Sequence, residues 1–228
     1  MPNQKVLQEA AEMRRQKRRS AERVYRRHQQ EVPTLIRQLG GTPARPGQSE
    51  QATHDRAFEL LSKMGETAAA ELLEALADPT LDPIAADEVV SLLGATGDQR
   101  ARPALWAFFQ ANRGDPERAS TAALSLSMLG DERVLPYVRQ TLQARDEELV
   151  ANAVASLIPL GELEDVDRLR LVHLRFVADR EIRMAAANAI LTILGEVDEA
   201  TVDRELEKIE ASPVDAVLWA DLGYLLDQ

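Results

Sequence analysis

Three histidines, His28, His54 and His173, are the whole imidazole stock of this 228-residue chain, and it has no cysteine. A protein-held catalytic iron needs several imidazoles and carboxylates converging on one point, and thiol chemistry needs a thiolate. The histidines stand far apart: one among arginines, one after a Pro/Gly-rich run, one in a Leu-rich stretch, with no HExxH pair. Glu162, Glu164, Asp165 and Asp167 crowd together without the Gly and ordered oxygen spacing of a calcium loop, so they are read as a solvated helix start. No Ser occupies a Gly-x-Ser-x-Gly turn, and no Gly-rich loop leads into Lys-Ser/Thr to cradle phosphates. The chain is therefore expected to have no catalytic residue, no metal and no cofactor.

What the sequence offers instead is charge. The net charge of −11 hides an asymmetry: residues 1–31 hold nine Lys/Arg against four Glu, while 32–228 hold 18 basic and 34 acidic residues. A basic arm thus precedes an acidic body, and opposite fields of this kind steer partners. The candidate partner-binding residues are Arg14, Arg15, Lys17, Arg18, Arg19 and Arg23 of the arm, and Glu88, Glu117, Glu147 and Glu148 near helix starts of the body. Trp219 joins them as an aromatic expected to point off the apolar stripe of the last helix.

These residues must be positioned by helices. Ala and Leu dominate the apolar set and aromatics are 4%, which suits close-packed helices better than sheets. From Val6 to about Gln30 no Pro or Gly intervenes, so one long basic helix is predicted. The Pro/Gly-rich run at 40–51 predicts a flexible connector, dividing the chain into a helical arm (1–39), a linker (40–51) and a body (52–228). In the body, apolar runs alternate with short breaks to predict eleven helices. Gly65, Gly94, Gly130, Gly161 and Gly195 end such runs at intervals of 29 to 36 residues. A repeat of that period implies stacked two-helix units, hence an all-α solenoid, with each Gly expected to take the left-handed backbone of a helix end.

At this level the residues resemble a family. Leu129-Gly130-Asp131-Glu132-Arg133-Val134-Leu135-Pro136-Tyr137-Val138, Arg145 to Leu157 and Asp179 to Ile190 are similar to HEAT repeats of the phycobilisome-lyase-like kind, over roughly residues 53–211. Asn152 and Pro159 depart from the pattern. The resemblance implies a scaffold or adaptor binding protein partners through a concave surface and charged rim, with a tetrapyrrole-handling lyase-like factor as the alternative. A HEAT-like DNA glycosylase would call on Trp106, Trp219 and Asp221, but duplex binding needs a basic track that the acidic body lacks. Nucleic acid is thus expected only through the basic arm. The resemblance also pairs Asp179 with Arg183 and Asp115 with Arg118 as a structural ladder.

The arm itself has two open readings, an N-terminal cap on the body or a docking element for an acidic partner. A membrane role is not expected, because no bulky apolar side chains accompany Arg14 to Arg19. In the last helix, Val214, Val217, Leu218, Leu222, Leu225 and Leu226 are expected to form one covered face. The first thirty residues lack the apolar stretch of a signal peptide and no window is long enough to cross a membrane, so a cytoplasmic location is the expectation; the oligomeric state is left open.

Overall fold

A computed structural model describes residues 4–41 and 49–227, with side chains described from Ala11 onward. Among these residues the chain is all-helical and without strands. The helices are α1 (Gln4–His28), α2 (Val32–Gln38), α3 (Glu50–Met64), α4 (Ala69–Leu76), α5 (Pro83–Thr96), α6 (Arg102–Ala111) and α7 (Pro116–Met128). They continue as α8 (Leu135–Thr141), α9 (Glu147–Leu160), α10 (Asp165–Arg175), α11 (Arg180–Leu194), α12 (Glu199–Glu210) and α13 (Ala216–Leu226). Eleven, α3 to α13, follow the Pro/Gly-rich stretch, as the alternation of apolar runs and breaks predicts. Among the described residues no helix is long and apolar enough to cross a membrane.

The connector expected at 40–51 lies mostly outside the described residues. Its ends are ordered: Gly40 and Gly41 close the turn after α2, and Ser49 caps α3 by accepting the Ala52 N–H. Helix α3 therefore begins at Glu50, inside the expected linker. Gly40 is required for space, since a Cβ there would sit 2.9 Å from Asp82 Oδ1.

Two compact units account for the chain, 1–107 and 108–228. In the first, α2 packs on α3, α4 and α5. Val32, Leu35, Ile36 and Leu39 recur at i, i+3, i+4 and i+7 and are all buried, so the end of the segment grouped with the arm belongs to the core. Ala57, Leu61, Met64, Leu72, Val89 and Leu93 complete that interior.

In the second unit α7, α9 and α11 pack in succession, with α8 and α10 against them. Their shared faces are rich in small residues, including Ala119, Ala122, Ala123, Ala153, Ser156 and Ala186, interleaved with Leu126, Val154, Leu157 and Ile190. Small side chains let helices approach, and the branched ones fill what remains.

The most regular feature of the body is the start of α5, α7, α9 and α11. Asp82, Asp115, Asp146 and Asp179, spaced by 31 to 33 residues, each accept a backbone N–H from the first turn of the helix they open. An N-cap aspartate satisfies donors that the helix leaves orphaned and meets the positive end of its dipole. This role displaces the expected side-chain ladder. Arg118 donates its backbone N–H to Asp115, while its guanidinium sits over Phe108 and donates to Asn112.

The five glycines do not share one role. Gly130 has φ +72°, as expected of all five, whereas Gly65 has a positive φ of +50° but, with ψ −135°, lies outside the left-handed helical conformation. Gly94 is buried inside α5, which runs on to Thr96, and Gly97 supplies the left-handed cap at φ +75°. Gly161 is extended (φ −63°, ψ 144°), and a Cβ there would fall 2.5 Å from Ile193 Cδ1. Gly195 is right-handed helical, with no atom closer than 3.4 Å to an added Cβ.

The last helix is narrower in its burial than expected. Leu218 and Leu222 are buried beneath α10, α11 and α12, but Val214, Val217 and Leu226 are exposed. Neighbours on one side of a terminal helix cover a stripe rather than a broad face.

Two sets of substitutions test this packing. Leu157→Ala and Ile190→Ala, both fully buried, should each cost about 2–5 kcal/mol in urea unfolding, by transfer and cavity terms; a loss under about 0.5 kcal/mol would remove that face from the core. Gly130→Ala should cost about 1–2 kcal/mol for its left-handed backbone. Gly195→Ala should be neutral or stabilise by about 0.4–1 kcal/mol, because Ala adopts the same backbone and narrows the unfolded ensemble.

Candidate functional site

The basic arm is α1. Its last turns are docked: Ala21, Val24, Tyr25 and His28 are half-buried against the first unit, α1 touching α3 and the 3-10 turn Gly65–Ala68. Tyr25 donates its hydroxyl to Glu71 Oε1, and this hydrogen bond, aided by burial, raises the phenol's pKa above its ordinary value. Arg56 adds a 3.7 Å ion pair to Glu31 just beyond the helix. Residues 11–20, in contrast, are all exposed. The two readings of the arm therefore fall on different turns of one helix, docked at 21–28 and open at 11–20.

The exposed turns carry cations that the fold leaves unneutralised. Arg18 lies 3.8 Å from Glu22, a solvent-exposed pair. Among the described residues Arg14, Arg15, Lys17, Arg19 and Arg23 have no carboxylate within ion-pair distance. Helical spacing sorts them. Arg14, Lys17 and Arg18 lie on the stripe that continues into Ala21 and Val24, whereas Arg15, Arg19 and Arg23 lie on the other face with Glu12 and Glu22.

The first stripe forms one wall of a groove of about 660 Å³. The opposite wall comes from the end of α3 with Leu61 and Lys63, the turn at Gly65 to Thr67, and the end of α5 with Leu92 and Ala95. Leu61 and Leu92 are buried in its floor. The arrangement combines the cations Arg14, Lys17, Arg18 and Lys63 and one carboxylate, Glu66, along the rim with a shallow accessible base of Ala21, Val24 and Ala95.

The predicted acidic residues do not form one surface within a unit. Glu88 belongs to the first unit, half-buried, with His54 Nε2 3.2 Å from its carboxylate. Glu117, Glu147 and Glu148 belong to the second, exposed in the first turns of α7 and α9. Trp219 stays 38% exposed on α13, off the Leu218–Leu222 stripe as expected.

Ionic clusters in the second unit were not foreseen from the sequence. Asp165 is fully buried, not part of a solvated helix start. Arg139 reaches over from α8, donating from Nε to Asp165 Oδ1 at 2.9 Å and from a terminal nitrogen to Glu162 at 2.7 Å, with Glu164 at 2.9 Å. Arg168 adds a 3.0 Å contact to Asp165. Burial alone would raise the Asp165 pKa, but the Arg139 hydrogen bonds, the Glu162 N–H and two guanidinium charges hold it below the ordinary carboxylate value. The Arg139 pKa is pushed up, chiefly by its hydrogen bond to Asp165.

His173 is likewise buried, its Nε2 2.8 Å from Asp221 Oδ2 on α13. Arg183 brings Nε to 2.8 Å from the same oxygen, an electrostatic contact whose N–H is not aimed along the line. Arg183 is therefore paired with Asp221 and not with Asp179, which caps α11. Beside it Arg170 holds the buried Asp215. The Asp221 partners lie 48 residues from His173 and far from Arg183 in sequence, and the Arg139–Asp165 pair spans 26, so no local pattern announces them. Chemically these arrangements neutralise buried charge and tie α8, α10, α11 and α13 together.

A pH dependence follows from the direction of the Asp165 shift. A carboxyl whose folded pKa is depressed contributes stability above its ordinary value of about 3.9 and loses it as the pH falls through the lower folded value. Asp215 acts in the same direction: burial pushes it up, but Arg170 holds it down. Thermal melts from pH 7 to pH 2 should show the loss beginning below about pH 4. Asp165→Asn should be less stable at pH 7 and show a shallower acid limb; an unchanged limb would mean Asp165 titrates normally. Arg139→Met, which strands a buried carboxylate, should cost about 3–5 kcal/mol.

No family model matches the chain, and no curated protein matches it in sequence.

Proposed function

We propose that this protein is a non-enzymatic adaptor of HEAT-like helical hairpins that recognises acidic protein partners through the open turns of its basic N-terminal helix. The hairpin reading is supported by the Asp-capped helices repeating every 31 to 33 residues. The observation that carries the functional reading is the contrast in how charge is used. Buried acids such as Asp165, Asp215 and Asp221 each have an Arg partner, whereas Arg14, Arg15, Lys17, Arg19 and Arg23 have no acid among the described residues. Cations that do not serve folding remain free to steer and hold an acidic partner. Within the second unit the exposed Glu117, Glu147, Glu148 and Trp219 offer further charged and aromatic surface for protein contacts.

Ionic strength and charge reversal test the reading. Screening shortens from about 10 Å at 0.1 M salt to about 3 Å at 1 M, so acidic proteins captured by the chain should elute across that range. Reversing Arg15, Lys17, Arg18 and Arg19 to Glu should abolish capture, chiefly through a slower association rate, while leaving thermal melting unchanged. A reversed variant that melts well below the wild type yet captures normally would make the helix a structural cap. Retention of oligonucleotides in preference to acidic proteins would make it a nucleic-acid element.

A further inference from the structure

The groove beside α1 is more specific than a patch of positive charge. Its two walls belong to different helices, with Arg14, Lys17 and Arg18 on α1 and Lys63 at the end of α3. Between them the accessible aliphatic surface is a shallow floor of Ala21, Val24 and Ala95, with Leu61 and Leu92 packed beneath it; Ser20, Ser62, Thr67, Thr96 and the carboxylate of Glu66 complete the lining. The cations are held loosely. Lys63 is 57% exposed and paired only along its own helix, with Glu59, and Arg18 is 74% exposed in its pair with Glu22. Exposed pairs of this kind are weak, so both cations can exchange partners at little cost.

A ligand matching this surface must be apolar along one face and acidic along the two flanks. An extended acidic chain would leave the aliphatic floor uncovered. A nucleic-acid strand would gain nothing from that floor, because single strands are held by stacking on aromatic rings and none of the residues lining the groove is aromatic. An amphipathic helix presents the required pattern, with apolar anchors at i, i+3, i+4 and i+7 and carboxylates on either side. The groove also lies where the open and docked turns of α1 meet, so a helix seated there extends the packing that Ala21 and Val24 already begin.

We propose that this groove seats an acidic amphipathic helix of a protein partner, its apolar face on Ala21, Val24 and Ala95 and its carboxylates against Arg14, Lys17, Arg18 and Lys63. This rests on the reading that α1 binds acidic proteins, and adds where the partner lies and in what conformation.

The probe is a labelled synthetic Glu-rich peptide with Leu at i, i+3, i+4 and i+7, followed by fluorescence anisotropy and circular dichroism against the full chain. A scrambled peptide of equal composition and an oligodeoxythymidine serve as comparisons. The amphipathic peptide should bind and become helical, and the scrambled one should bind at least about tenfold more weakly. Lys63→Glu and Ala95→Trp, neither on α1, should each weaken binding by about tenfold or more, one by charge and one by filling the groove. Both positions are exposed, so both variants should melt as the wild type does. If these two variants bind the peptide normally while reversal of the α1 cations abolishes binding, the groove proposal falls and the acidic-partner reading stands. Equal binding of the scrambled peptide also removes the helical ligand and leaves charge attraction alone. Failure of both peptides to bind overturns the groove and the adaptor reading together, and tighter binding of the oligonucleotide replaces the protein partner with a nucleic acid.

Discussion

Close approach of helices along stripes of Ala and Ser is the constraint on which both units rest. Ala57, Ala68, Ala69, Ala85 and Ala86 in the first unit, and the Ala and Ser faces of α7, α9 and α11 in the second, leave little volume between neighbouring backbones. A helix of this kind cannot hide its apolar face alone, so each relies on the helices packed against it. The same economy of space sets the glycine at 161, where an added Cβ would fall 2.5 Å from the Leu157 carbonyl oxygen as well as 2.5 Å from Ile193 Cδ1.

Close packing fixes where charge can go. Once α10, α11 and α13 are packed together, the side chains at Asp165, Asp215, Asp221 and His173 are out of water and must find partners within the protein. An unpaired buried carboxylate would cost several kcal/mol, and an Arg with five planar donors can satisfy more than one at once. Arg139 does so for the buried Asp165 while also reaching the exposed Glu162 and Glu164. The interior of the second unit thus uses basic residues to stay neutral. The cations of α1 are spared that work and face solvent, and their contrast with the acidic composition of the remainder gives the chain its opposed fields.

Helices were legible because their signals are local. The Pro/Gly-free run from Val6 to about Gln30, the Gly after α7 and the alternation of apolar runs with short breaks each act within a few turns, and the eleven helices of the body follow from such signals. Five glycines at helix ends read as five left-handed caps, yet Gly161 is glycine for lack of space and Gly195 has no evident conformational need. Arg at helical spacing after Asp115 and Asp179 reads as a ladder, but both carboxylates instead cap their helices, accepting the Arg118 and Ile182 N–H.

The sequence by itself determined the all-helical class, the order and extent of the helices, and the concentration of basic residues in the first. It did so because helix propensity, capping and charge are properties of neighbouring residues. Only the tertiary structure decided which acids are buried, that His173 and Arg183 share Asp221, that the turns of α1 divide into docked and open, and that Lys63 faces Arg14, Lys17 and Arg18 across an aliphatic floor. Those relations join residues tens of positions apart. They depend on how helices are placed side by side, which no local pattern of residues records.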